Sequence, residues 1–70
     1  MRNQRLVIEI HQIKKKSVRE TLKTLYEAQL QYKAYKWDYC QQLANKARKY
    51  AEGTNQYWTV NNIIKELGYD

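Results

Sequence analysis

The sequence predicts a mainly α protein. Three observations carry that reading. No glycine or proline occurs between Ser17 and Gly53. Residues that lose little on entering a helix, namely Leu, Lys, Glu, Gln, Ala and Arg, dominate that stretch. Its apolar side chains also return with a helical period and gather on one broad arc of a helical wheel.

The N-terminal segment, residues 4–13, reads differently. Leu6, Ile8 and Ile10 alternate with Val7, Glu9 and His11, and such alternation at period two predicts a short β-strand. No second strand candidate is present, so this strand is expected to pair with its own copy in a second chain. The alternative is a helix extension that runs into the next segment.

Residues 17–51 are expected to form one long amphipathic helix. Ser17-Val18-Arg19-Glu20 fits a capping box, in which the serine oxygen takes an orphan amide and the glutamate reaches back. Val18, Leu22, Leu25, Tyr26, Leu30, Tyr32, Trp37, Tyr39, Cys40, Leu43, Ala44, Ala47, Tyr50 and Ala51 fall on one arc. Glu20, Glu27, Gln31, Asp38, Gln42 and Lys49 fall on the other. Unbroken, the rod would span about 52 Å at 1.5 Å per residue. The rest of the chain could not cover its stripe, and an uncovered stripe marks a contact surface. The alternative is a hairpin turning near Gln31–Lys36, a stretch that lacks turn chemistry.

Gly53 and Asn55 then break the helix. Thr59 can N-cap a short helix over residues 59–67, with Val60, Ile63, Ile64 and Leu67 on one side and Gly68 ending it. Tyr57 and Trp58 precede the cap and can fold back on Ile63 as a hydrophobic staple.

Composition narrows the function. A chain of 70 residues holds one domain, buries only about 60% of its unfolded surface, and usually needs a staple. Cys40 is the single cysteine and His11 the single histidine. An internal disulfide and a closed zinc site are therefore excluded, and no metal or other cofactor is expected. Self-association, most simply a homodimer, remains. A lone thiol and the lack of a secretory signal imply a cytoplasmic, reducing setting. The longest apolar run, Leu6-Val7-Ile8, is far too short for membrane insertion. A net charge of +6 points to nucleic acid or an acidic protein surface, with solubility alone as the competing explanation. Phenylalanine is absent, and the aromatics are seven tyrosines and two tryptophans, which suit half-buried or contact surfaces.

Catalysis has little support. A nucleophile needs a base within reach and a third group to orient that base, whereas Cys40 lies on the apolar arc and His11 in another element. No phosphate-cradling glycine loop exists. No enzymatic activity and no small-molecule substrate are expected. The basic groups carry more information. Lys14, Lys15, Lys16 and Arg19 crowd the start of the long helix, where the helix dipole disfavours cations; a phosphate or acidic partner would explain the cost, and so would a solvated connector. Lys46, Arg48 and Lys49 stand near its C-terminus, where the dipole favours them. Gln29, Lys33 and Lys36 form a polar notch in the apolar arc, among Tyr32, Tyr35, Trp37 and Tyr39. This pattern fits base stacking with phosphate contact, a register device in a helical interface, or a solvated stretch.

Residues Thr59 to Tyr69, with their threonine cap, isoleucine pair and Leu-Gly-Tyr turn, resemble the first helix and turn of helix-turn-helix proteins. The recognition helix would begin where the chain ends at Asp70, so no DNA-contact residue carries over. An N-terminal strand followed by helices also resembles ribbon-helix-helix dimers in topology. In size and charge the chain is similar to small regulatory accessory proteins of phages and mobile elements. The leading expectation is nucleic-acid binding through Lys14, Lys15, Lys16, Arg19, Lys33 and Lys36. The alternative is a protein-binding inhibitor or adaptor docking through Leu22, Leu25, Tyr32, Tyr35, Trp37, Tyr39 and Leu43, the same stripe that would seal a homodimer.

Overall fold

A break within the longest helical stretch of the sequence sets the architecture. In the computed structural model, which describes residues 4–32 and 37–69, the chain forms α1 (Gln4–His11), α2 (Lys16–Tyr32), α3 (Trp37–Ala51) and α4 (Tyr57–Leu67). The protein is mainly helical, and no strand occurs among the described residues.

The single rod expected over residues 17–51 is thus two helices, α2 and α3, which pack on each other more extensively than any other pair. A connection this short between packed helices makes them antiparallel neighbours. The physical reason is the apolar stripe. A rod would leave much of it in water, whereas folding it in half buries part of it within a body whose longest dimension is 32 Å. Leu22 and Leu25 of α2 and Cys40, Ala44, Ala47 and Ala51 of α3 are all 0% exposed. Alanines at helical spacing let the two backbones approach toward the close end of the usual 8–10 Å range. The Lys33–Lys36 join lies outside the described residues.

The N-terminal segment is a helix where alternation predicts a strand. The buried residues Leu6, Ile10 and Ile13 stand four and three apart, a helical spacing, and Ile8 is 55% exposed. Leu6 and Ile10 dock α1 onto the bundle. Each full burial of such a side chain is worth about 1.5–3 kcal/mol.

α2 opens one residue ahead of the expected cap. The Arg19 amide donates to the Lys15 carbonyl at 3.0 Å, so Ser17 lies inside the first turn rather than capping it. α4 likewise starts two residues before Thr59, with Gln56 at its N-cap and no side-chain cap bond there. Its other end forms as expected. Gly68 takes the left-handed conformation, φ +98°. Its amide donates to the Lys65 and Ile64 carbonyls, and the Tyr69 amide donates to Ile64 at 3.1 Å, the bond pattern of a Schellman end. The Tyr69 side chain then turns inward and is 4% exposed. Burial pushes the Tyr69 phenol up to about 12, helped by its hydrogen bond to Cys40.

One apolar cluster joins all four helices. Within the apolar stripe, Leu22, Leu25, Cys40, Ala44, Ala47 and Ala51 are therefore covered from within, while Leu30 and Tyr39 stay exposed.

Candidate nucleic-acid interface

Two loops meet at one end of the bundle. The Gln56 side chain joins them: its oxygen accepts from the Lys14 amide at 2.7 Å, and its nitrogen donates to the Gln12 carbonyl at 3.4 Å. Beside it, Lys15 Nζ donates to the Tyr50 carbonyl at 2.8 Å. Tyr50 lies in the last turn of α3, where unpaired carbonyls and the helix dipole attract a cation. This contact offsets the cost of placing Lys15 at the start of α2. Arg19 is also committed, its Nη1 donating to the Ile13 carbonyl at 2.9 Å with Glu20 3.8 Å from its Nε. Lys14 and Lys16 remain exposed and form no ion pair among the described residues.

The same contact brings the second basic run to the first. Lys46 Nζ lies 5.7 Å from the centroid of the Tyr50 ring, so Lys15 and Lys46 converge on one tyrosine from distant parts of the chain. Lys46 and Lys49 are exposed. Arg48 turns inward instead. Its Nε donates to Asn61 Oδ1 at 3.0 Å and its Nη2 to the Tyr69 carbonyl at 2.8 Å, clamping α3 to the end of α4. Read one helix at a time, each lysine run has only its own dipole to answer to. Their convergence is a property of the hairpin.

Trp58 is the residue that sequence reasoning missed. It does not fold back as a staple but stands 76% exposed, in the first turn of α4 and two residues from Gln56. Its ring meets Tyr57 edge to face, with centroids 5.6 Å apart and planes at 75°. The signal was available on the wheel. At 100° per residue Trp58 lies about 200° from Val60, opposite the buried side, and shares an outward ridge with Asn62 and Lys65. No acidic residue occupies the first turn of α4.

The polar notch and the interface stripe fare differently. Lys33, Tyr35 and Lys36 lie outside the described residues, while Tyr32 ends α2 and Trp37 opens α3. Gln29 donates to the Leu67 carbonyl at 2.7 Å and so ties α2 to α4. Leu22 and Leu25 have no surface to offer a second chain, and Leu43 is partly buried against the core. Tyr39 is 46% exposed and Leu30 36%. Cys40 is a buried free thiol, and His11 is exposed at the end of α1 with its Nδ1 2.8 Å from the Val7 carbonyl. No helix among the described residues is long and apolar enough to cross a membrane. No family model, curated protein or solved structure matches the chain.

Proposed function

We propose that this chain is a non-enzymatic nucleic-acid-binding protein, and that its contact surface is the end of the bundle bearing Lys14, Lys16, Lys46, Lys49 and Trp58. The observation that carries the reading is the meeting of Lys15 and Lys46 at Tyr50, which brings two basic runs together at the end of the bundle where α4 begins with the exposed Trp58. Lysines that neutralise phosphates release counterions, so affinity falls as salt rises, with a log–log slope of about −3 to −4 for four contacts.

The test is a fluorescence anisotropy titration of labelled oligonucleotide over a salt series. Reversing Lys14 and Lys16 to glutamate should flatten the slope and weaken binding. Unchanged affinity and slope in that variant would remove the surface from consideration. Lys15 is a poor choice for the same test, because its loss also uncaps α3.

A protein-docking reading keeps one observation in its favour, the exposure of Leu30 and Tyr39. Of these two, Tyr39 belongs to the stripe expected to seal a homodimer. Sedimentation over a concentration range tests the dimer: a mass that stays monomeric rejects it.

A further inference from the structure

We infer that the ligand is single-stranded, with an unpaired base stacking on the Trp58 indole while the neighbouring lysines hold the flanking phosphates. The inference rests on the nucleic-acid reading above and narrows it to one class of ligand.

Exposure is the first argument. Trp58 is 76% exposed on the outward ridge of α4, and its edge-to-face contact with Tyr57 engages at most one face of the indole. The other face is open to a planar partner. In a duplex the flat faces of the bases are already covered by their neighbours, and only their edges are presented in the grooves. Against an edge, tryptophan offers one N–H donor and no acceptor. Against an unpaired base it offers a stacking platform that any base can use.

The arginines supply the second argument. The commonest device for reading a duplex is an arginine fork on guanine. Among the described residues every arginine is engaged within the chain. Arg5 pairs with Glu9 and Glu66, Arg19 holds the Ile13 carbonyl, and Arg48 clamps Asn61 and Tyr69. The positive charge left facing outward at this end belongs to Lys14, Lys16, Lys46 and Lys49, with the exposed carboxylate of Glu52 at the same end. A lysine ammonium is a point charge that meets phosphate without demanding a fixed geometry, which suits a flexible strand. Lys14 is also close in space. Its amide bonds Gln56, and the Trp58 Cα can be no more than about 7.6 Å from that of Gln56 across two peptide units.

The experiment uses the full chain with two labelled probes of equal length, an oligothymidylate and a blunt mixed-sequence duplex. Anisotropy is measured for the parent, Trp58→Ala and Trp58→Phe, with thermal melts to confirm an unchanged fold. The inference expects tighter binding to the single strand. It expects Trp58→Ala to weaken that binding about 5- to 150-fold, the range for one lost base stack. Duplex affinity should stay unchanged, and Trp58→Phe should recover part of the loss. Quenching of tryptophan emission on binding should fall in the alanine variant. If the duplex binds equally well, or Trp58→Ala leaves single-strand affinity intact, the single-strand inference is overturned while the broader reading survives on its salt dependence. If neither probe binds, both fail.

Discussion

Replacing Arg48 with alanine should destabilise the fold by about 2–3 kcal/mol. The side chain makes two short hydrogen bonds across the α3–α4 junction, 3.0 Å to Asn61 Oδ1 and 2.8 Å to the Tyr69 carbonyl, and a longer one of 3.4 Å to Asn45. Hydrogen bonds from a charged donor contribute about 1.5–3 kcal/mol each. Arg48 is half-buried, so the lower end of that range applies to the two short bonds, and the long one adds little. A core of this size supplies only about 3–5 kcal/mol in total, so most of the margin depends on one residue. With a urea m-value near 1 kcal/mol/M for a small domain, the unfolding midpoint should drop by about 2–3 M, read by far-ultraviolet circular dichroism. Arg48→Lys should recover less than half, because an ammonium cannot fork to acceptors on α4 and in the turn after it. Lys49→Ala, at the exposed neighbour, should stay within about 0.5 kcal/mol of the parent. If Arg48→Ala unfolds at the parent's midpoint, the clamp does not hold α4 and the reasoning from those distances is wrong.

Leu22→Ala should cost about 2–5 kcal/mol by removing a side chain with no exposed surface, and calorimetry should show a lowered or absent transition; a melt within a degree of the parent's would mean the α2–α3 interface is not packed as described. Tyr69 gives a pH dependence whose sign follows from its raised folded value: its contribution is fully present below the ordinary tyrosine pKa near 10 and is lost as pH rises from there through about 12, because the unfolded chain gives up its proton first. The difference between parent and Tyr69→Phe stability curves isolates the effect, and parallel curves across that window would contradict it.

The helical class was legible because propensity and periodicity agree along residues 17–51, and the end at Gly68 was legible because only a left-handed residue closes the helix that way. One feature misled at the N-terminus. Alternating β-branched residues imitate a strand, while the helical spacing of Leu6, Ile10 and Ile13 was equally present and is the one the core uses. The hairpin was open as an alternative but could not be chosen locally, since nothing around Gln31–Lys36 is a turn former. The fold breaks the helix because the stripe must be buried, and that demand is global. The same reason hid the basic end. Lys14–Lys16 was legible as a cluster, but its meeting with Lys46 exists only once the hairpin brings Tyr50 beside Lys15. Trp58 was misplaced by a register error of two residues in the start of α4.

The pairing of α2 with α3 has a kinetic consequence. These helices are neighbours along the chain, so closing them into a hairpin sacrifices little chain entropy, and local contacts of this kind assemble early. Helices α1 and α4 dock on that pair through smaller interfaces and should be the first to detach in partial opening events. Amide protons in α1 and α4 should then exchange with solvent through local excursions, while those at the centre of α2 and α3 wait for the whole molecule to unfold. Lys14, in the connection between α1 and α2, and the Trp58 indole of α4 belong to the parts that loosen first, whereas Lys16, Lys46 and Lys49 stand on the central pair, so the proposed binding end joins an adjustable part to a fixed one.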